Sequence, residues 1–305
     1  MRSLLYIFIL LFPICIFSQE NIALVGSKGK FEDTNGEVNR LDGYETSLEL
    51  HDRIILINAE VDGVAGKFIL DTGSPTLMLN QKDISGKLVV GGISKNCTAQ
   101  TVKVKEFKWA GISTPSVEAL AFDMSKLEKT IGTKIAGLVG QRIFRDYELY
   151  IDVANQKIQL HRSRKSQLHK NNKPKSKISF SLEKHIPVIK VKINGKKYRF
   201  GIDTGAEVNV LNQRIQKQLE EAGLLNLNQA TTLQGVDGIA QKTQAVHLTN
   251  FKIKSKNFKD YEFLMMDFSS LEKDFDLQLD GILGYPFLAT HILSINYSKQ
   301  KIYFW

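Results

Sequence analysis

Two acidic residues in matching positions are the part of this sequence best suited to chemistry. Asp71 and Asp203 each follow an apolar segment, and each begins an Asp-Thr-Gly triplet, at 71–73 and 203–205. A single triplet is a weak signal, because a short motif is a hypothesis until its context supports it. Two copies with the same apolar flanks predict a shared chemical role for the two carboxylates.

Two carboxylates in contact can do chemistry that neither can do alone. Because two adjacent negative charges repel, one pKa falls and the other rises, and the pair holds one proton over a broad pH range. The ionised partner can take a proton from a bound water, while the protonated partner donates to the carbonyl oxygen under attack. If Asp71 and Asp203 meet across a pseudo-two-fold axis, the predicted reaction is amide hydrolysis without a metal or a covalent intermediate.

The neighbours of each aspartate are suited to hold it in place. A glycine after the threonine allows a sharp turn that brings backbone N–H groups close to the carboxylate. The threonine hydroxyl can hydrogen-bond the opposite backbone and fix the orientation of its aspartate. Ser74 can do the same for the outer oxygen of Asp71, whereas Ala206 cannot for Asp203, so we expect activity at weakly acidic to neutral pH. The predicted support residues are Thr72, Gly73, Ser74, Thr204, Gly205 and Ala206.

An internal repeat indicates how the chain positions the two aspartates. With an offset of 132 residues, 54–80 align with 186–212 without a gap. With an offset of 144 residues, 118–160 align with 262–304. Residues 213–223 account for the longer second offset, and their pattern predicts a helix that ends at a glycine. A duplicated scaffold without shared chemistry is the alternative, but the packing of a strand does not require a carboxylate at its end, and here both strands have one.

Short apolar segments bounded by turn signals predict an all-β fold with few short helices. Residues 54–61 and 186–193 have strand composition, and Asp62-Gly63 and Asn194-Gly195 are hairpin-turn signals. Each turn leads into the apolar strand that ends at an aspartate. We therefore expect two pseudo-symmetric lobes with the active-site cleft between them.

The start of the chain predicts export. The apolar run 4–17 follows Arg2, is too short to span a bilayer comfortably and precedes Ser18, a suitable residue before a cleavage point. A signal anchor is the alternative. We expect a periplasmic or secreted protein with no stable membrane span after the signal is removed. The predicted divisions are a signal peptide at 1–18, an N-terminal arm at 19–44, a first lobe at 45–160, a basic linker at 161–177 and a second lobe at 178–305.

Composition limits the other functions. The 305-residue chain has a net charge of +9, and the linker carries seven Lys or Arg and no acid. No aromatic residue is interleaved there for base stacking, so a solvated linker is favoured over a nucleic-acid site. Cys97 is the only cysteine after the signal, and the histidines have no metal-ligand spacing. We expect no disulfide, no metal and no cofactor.

Both triplets, their apolar strands and the later segments 137–140 and 281–284 resemble the aspartic proteases of the pepsin and retropepsin group. The resemblance covers about 50–160 and 184–305. It implies an all-β bilobal fold and an aspartic endopeptidase with Asp71 and Asp203 as catalytic residues. It further implies a polypeptide substrate and inhibition by statine-type peptides, and we expect a monomer. The short lobes and Ala206 look closer to retropepsin-like proteins, here fused in one chain.

The sequence also departs from the pepsin pattern. Pepsin-like enzymes carry a tyrosine on the flap over the cleft, and the candidate flap at 88–93 has none. Ordinary hairpin turns are the alternative for its glycines. The chain could also be a catalytically inactive peptide-binding protein of the same fold, or an envelope protein that holds acidic polymers with its basic linker. The candidate substrate-binding flap residues are Gly91, Gly92, Gly235 and Gly238.

Overall fold

The computed structural model describes residues 43–82, 88–90, 97–164, 168–234 and 240–305. The predicted signal peptide and nearly all of the predicted arm lie outside the described residues. No helix within these ranges is long and apolar enough to cross a membrane.

The described chain is mostly β-strand, with a few short helices. The first half contains β1 (Gly43–Ser47), β2 (Glu49–His51), β3 (Ile54–Val61), β4 (Val64–Leu70), β5 (Met78–Asn80), β6 (Leu88–Val90), β7 (Cys97–Trp109), β8 (Ile112–Phe122), α1 (Ser125–Ile131), β9 (Gly137–Val139), α2 (Gln141–Phe144), β10 (Tyr147–Asp152) and β11 (Lys157–Arg162). The helix α3 (Leu168–Asn171) lies between the halves. The second half contains β12 (Ser176–Ser179), β13 (Ser181–Glu183), β14 (Ile186–Ile193), β15 (Lys196–Ile202), β16 (Val210–Asn212), a 3-10 turn (Gln213–Ile215), α4 (Gln216–Glu221), β17 (Leu225–Gln234), β18 (Ala240–Ile253), β19 (Lys256–Met266), α5 (Ser269–Phe275), β20 (Gly281–Leu283), α6 (Tyr285–Leu288), β21 (Leu293–Asn296) and β22 (Lys301–Phe304).

The repeat folds into two lobes with the same strand order. Lobe 1 is the eight-stranded sheet β2-β3-β4-β9-β5-β8-β7-β6, which curls so that β3 also pairs with β7. Lobe 2 is the eight-stranded sheet β13-β14-β15-β20-β16-β19-β18-β17, and β14 also pairs with β18. The predicted all-β fold with two pseudo-symmetric lobes is therefore confirmed.

Local turn chemistry sets the hairpins that lead to the aspartates. Asp62 and Gly63 have φ values of 51° and 83°, and Asn194 and Gly195 have φ values of 47° and 81°. Positive φ at both central residues suits the right-handed twist of the strands, which explains why Asp-Gly and Asn-Gly occupy these turns. The predicted helix at 213–223 is also confirmed, as the 3-10 turn followed by α4.

A third sheet joins the lobes. Its order is β1-β11-β10-β21-β22-β12, and the antiparallel pair β10–β21 brings one strand from each half into register. The buried Glu148 carboxylate on β10 accepts hydrogen bonds from the Ser294 hydroxyl at 2.6 Å and the Asn296 amide at 2.9 Å on β21. His169 of α3 contacts the same carboxylate at 2.8 Å, so this part of the predicted basic linker packs against the sheet.

The hydrophobic core follows the same plan. Phe68 and Phe107 meet edge-to-face in lobe 1 with ring centroids 5.8 Å apart, and Phe200 and Phe263 do so in lobe 2 at 6.1 Å. The largest buried cluster contains residues of both lobes and of the joining sheet. Burial of apolar surface across this junction holds the two lobes, and hence the two aspartates, in a fixed relation.

Candidate active site

Each aspartate begins where a strand of the sheet ends. Asp71 follows β4 and Asp203 follows β15, and both side chains are completely buried. The N–H of Asp71 donates to the carbonyl of Val139 at 3.1 Å, and that of Asp203 donates to the carbonyl of Leu283 at 3.1 Å. The neighbouring strands β9 and β20 therefore fix the backbone from which each carboxylate projects.

The strands β9 and β20 also pass unusually close to the next strand after each aspartate, which is β5 in lobe 1 and β16 in lobe 2. A Cβ at Gly137 would lie 1.9 Å from the Met78 carbonyl oxygen, and one at Gly281 would lie 2.7 Å from the Val210 carbonyl oxygen. Only glycine fits such approaches, which accounts for the glycines of the repeated segments at 137–140 and 281–284.

Two threonines lock the lobes together below the carboxylates. The Thr72 hydroxyl donates to the Ile202 carbonyl at 3.2 Å and accepts from the Thr204 N–H at 2.9 Å. The Thr204 hydroxyl donates to the Leu70 carbonyl at 2.7 Å and accepts from the Thr72 N–H at 2.9 Å. These four hydrogen bonds are called the grip below. They use the same atoms from each lobe, so they set the separation of the aspartates symmetrically.

The glycine of each triplet faces the carboxylate of the other lobe. The Gly73 N–H lies 2.8 Å from Asp71 Oδ1 and 3.2 Å from Asp203 Oδ1, and thus donates to both carboxylates. The Gly205 N–H donates to Asp203 Oδ1 at 2.9 Å. A Cβ at Gly73 would lie 2.6 Å from Asp203 Oδ2, and one at Gly205 would lie 2.7 Å from Asp71 Cγ. The structure therefore brings the two predicted carboxylates together at the junction of the lobes, where the Gly73 N–H reaches both.

Burial and mutual repulsion change the protonation of this pair. Burial is the main cause that raises the pKa of Asp71 well above its ordinary value, and the Asp203 charge raises it further. Burial also raises the pKa of Asp203, to about 6, against the lowering effect of hydrogen bonds from Gly205, Asp71 and Gly73. Two such carboxyl groups in one site hold a proton between them at neutral pH.

One predicted support residue has a different role from the one expected. The Ser74 hydroxyl donates to the Thr76 carbonyl at 3.2 Å and not to the outer oxygen of Asp71. The serine thus closes its own turn, where a neighbouring carbonyl is within reach. Ala206 is buried in the equivalent turn of lobe 2. The expected difference in hydrogen bonding between Asp71 and Asp203 is therefore wrong at these two positions.

The candidate flap residues Gly91, Gly92, Gly235 and Gly238 lie outside the described residues. The strands on either side of them are described. β6 pairs antiparallel with β7, and β17 pairs antiparallel with β18 up to Gln234 and Ala240. Their role in binding substrate stays a prediction.

Sequence reasoning missed two buried side chains at the site. His185, in the turn before β14, contacts the Gly73 carbonyl oxygen across the lobe junction through Nε2. Tyr297 is buried, and its pKa is raised first by burial and then by the charges of Asp203 and Asp71. Neither residue is repeated in the other half: Arg53 stands where His185 would recur, and Val153 where Tyr297 would. A search guided by the repeat therefore had no signal for them.

Comparison with protein families gives one match. Residues 189–287 match the family model for aspartyl protease. The match supports an aspartic protease family. It runs from β14 into α6 and includes the triplet at 203–205, and it supports an aspartic peptidase activity. No curated protein matches the chain.

Proposed function

We propose that this protein is an aspartic endopeptidase in which Asp71 and Asp203, one from each lobe, activate a water molecule for attack on a peptide bond. The observation that carries the proposal is the contact between the two buried carboxyl groups, bridged by the Gly73 N–H that reaches both. An isolated structural carboxylate has no need of a like-charged partner in a buried site, because the second charge raises the free energy of the folded state.

The pKa order suggests a role for each carboxyl group. Asp203, with its pKa near 6, is the ionised partner at neutral pH and takes a proton from the water as the water oxygen bonds to the carbonyl carbon. Asp71, with the higher pKa, donates its proton to the carbonyl oxygen. The tetrahedral intermediate then breaks its C–N bond as Asp203 gives its proton to the amide nitrogen and Asp71 takes a proton from a hydroxyl of the intermediate, which returns the pair to its starting state.

The grip between Thr72 and Thr204 supplies the geometry that this mechanism needs. General acid–base catalysis requires both carboxyl groups within hydrogen-bond reach of one water, and small displacements weaken it severely. Because the grip and the joining sheet hold the lobes together before substrate binds, the pair is organised in advance.

The test is a peptidase assay on a peptide mixture across pH, with Asp71→Asn and Asp203→Asn variants. Each single change should lower cleavage by about three to four orders of magnitude, since each removes one partner of the proton exchange. Asp52→Asn is the matched control, because Asp52 lies exposed in a turn with a φ of 53°, which asparagine also adopts. Circular dichroism and Tm should show that all three variants fold.

The outcomes separate the alternatives. Cleavage that survives either dyad change would remove the pair from the mechanism. Peptide binding without cleavage by the unaltered protein would favour the inactive peptide-binding protein. A statine-type peptide should inhibit cleavage if the carboxyl pair binds the tetrahedral intermediate.

Export through residues 1–18 is a separate part of the proposal and rests on the sequence pattern alone. N-terminal sequencing of the protein from its native host should give Gln19 as the first residue. A chain that retains Met1 in the mature protein would contradict it.

A further inference from the structure

The outer surface of lobe 2 carries a cluster of lysines that directly face one another across three strands. Lys192 on β14 stands opposite Lys197 on β15 and also pairs in register with Lys252 on β18. Lys190 lies two residues before Lys192 and so points to the same side of the sheet. All four side chains are exposed. These four residues are called the basic face below.

No acid neutralises this cluster. Within the described part of the chain, no ion pair or hydrogen bond joins the ammonium groups of Lys190, Lys192, Lys197 and Lys252 to another residue. At the margin of the face, the charge of Arg199 is balanced, because Arg199 pairs with Glu183 at 2.9 Å. The excess positive charge is therefore concentrated at the centre of the face.

The same positions in lobe 1 show that the fold does not require this cluster. Glu60 takes the place of Lys192, Ala65 that of Lys197 and Asn58 that of Lys190. Lys108, equivalent to Lys252, pairs in register with Glu60 and forms an ion pair with Glu106 at 3.0 Å. Opposite charges across strands stabilise a sheet and like charges destabilise it. Lobe 1 has the stabilising arrangement and lobe 2 the destabilising one.

We propose that the basic face of lobe 2 docks the protein on an anionic lipid surface. An anionic surface reduces the electrostatic repulsion between lysines that stand opposite one another. Each lysine near such a surface contributes about 1 kcal/mol to the binding free energy, which corresponds to roughly fivefold stronger binding per lysine. Lys192 and Lys197 lie at the turn end of the β14–β15 hairpin, whereas Asp203 follows the other end of β15.

The side-chain chemistry favours lipid over the other polyanions. All four residues are lysines, which act as point charges, rather than arginines, which bind individual phosphates in a bidentate manner. The neighbouring outward residues Asn250 and Asn257 are polar, so the face offers no aromatic platform on which bases could stack. A diffuse cluster on the outer surface of a sheet suits a diffuse array of anionic headgroups.

Vesicle binding tests the proposal without requiring any enzymatic activity. The purified protein should bind phosphatidylcholine vesicles that contain phosphatidylglycerol, should not bind vesicles of phosphatidylcholine alone, and should dissociate as salt rises from about 0.05 M to about 0.5 M. The triple variant Lys192→Gln, Lys197→Gln, Lys252→Gln should bind the anionic vesicles roughly 100-fold more weakly. Replacement of the same three lysines by arginine should keep binding within about threefold.

A matched control separates the face from total charge. Lys103→Gln, Lys105→Gln, Lys129→Gln removes the same charge from exposed positions of the first half and should change binding by less than about threefold. The Tm of the lobe 2 triple variant should equal or exceed that of the unaltered protein, because cross-strand repulsion is removed. Equal losses in the two triple variants, or unchanged vesicle binding by the lobe 2 variant, would overturn the proposal. Binding to an RNA oligonucleotide or to polyglutamate that depends on the face, without vesicle binding, would overturn the lipid assignment.

Discussion

Lobe 1 and lobe 2 place equivalent aspartates at the ends of equivalent strands, yet the side chains around the aspartates differ. The grip through Thr72 and Thr204 is reciprocal, with the same donors and acceptors on both sides. Beyond the grip, His185 contacts the Gly73 turn of lobe 1, whereas its counterpart Arg53 is exposed. The comparison teaches that the backbone frame built on the grip is symmetric, whereas the side chains packed against that frame are not.

The glycines of the triplets give the strictest test of the symmetric frame. Gly73→Ala and Gly205→Ala should each lower kcat/KM more than about 100-fold, because the added Cβ would lie 2.6 Å or 2.7 Å from the carboxyl group of the opposite lobe. Gly223→Ala is the control, since its φ of 65° strains the backbone while nothing lies near its Cβ. It should lower stability by about 1 kcal/mol and leave cleavage intact. A large difference in kcat/KM between Gly73→Ala and Gly205→Ala would contradict the symmetry of the backbone frame.

Removal of the grip should affect both lobes equally. Thr72→Val and Thr204→Val keep the side-chain shape but remove one donated and one accepted hydrogen bond each, and leave buried backbone groups unpaired. Each should lower the free energy of unfolding by about 2–4 kcal/mol in urea denaturation. Thr→Ser at the same positions keeps the hydroxyl and should retain most of that stability. If only one valine variant is destabilised, the reciprocal grip is not what holds the lobes.

His185 tests the asymmetric part of the comparison. Its Nε2–H donates to the Gly73 carbonyl, and the same peptide carries the Ser74 N–H, which donates to the Asp71 backbone carbonyl at 3.2 Å and lowers the pKa of the Asp71 carboxyl group. His185→Leu should lower kcat about tenfold with little change in KM, and it should alter the pH profile. His185→Gln keeps an N–H donor and should recover most of kcat, while Arg53→Leu should have no effect. Equal effects of His185→Leu and Arg53→Leu on kcat would contradict the claim that the two lobes differ at this position.

Ser74 is expected to have the smallest effect. Because its hydroxyl donates to the Thr76 carbonyl, Ser74→Ala should lower the free energy of unfolding by about 1 kcal/mol and leave the pH profile of kcat/KM unmoved. Ala206→Ser should leave that profile unmoved as well. A shift of the pH profile in either variant would contradict this prediction and would support the hydrogen bond between hydroxyl and carboxylate that the sequence suggested.

The repeat made much of this fold predictable, because it aligned local signals that were each weak alone. Asp62-Gly63 and Asn194-Gly195 predict their hairpins from the φ values that the turns demand, and apolar strands that end in aspartate predict the paired carboxylates. The joining sheet could not be predicted, because its register joins residues as far apart as Glu148 and Asn296, which no local pattern links.

Side-chain partners were the least predictable part of the site. The sequence suggested the Asp71 carboxylate as the acceptor of the Ser74 hydroxyl, whereas the hydroxyl donates to the Thr76 carbonyl, and sequence alone does not distinguish the two. His185 contacts the Gly73 turn only because the two lobes pack against each other, which no local sequence pattern shows. The basic face was also missed, because its lysines come from three strands that are separate in the sequence, while the contiguous run of positive charge at 161–177 was conspicuous.

The central claim is that Asp71 and Asp203 share one buried, proton-holding site, and carbon-13 NMR of carboxyl-labelled aspartate tests it most directly. We predict one dyad resonance that titrates near pH 6 and a second whose pKa is raised well above the ordinary aspartate value, with Asp203→Asn and Asp71→Asn assigning them. Each asparagine variant should also shift the titration of the remaining aspartate, because the two groups interact. Two independent titrations near pH 4, unchanged when the other aspartate is replaced, would contradict the account.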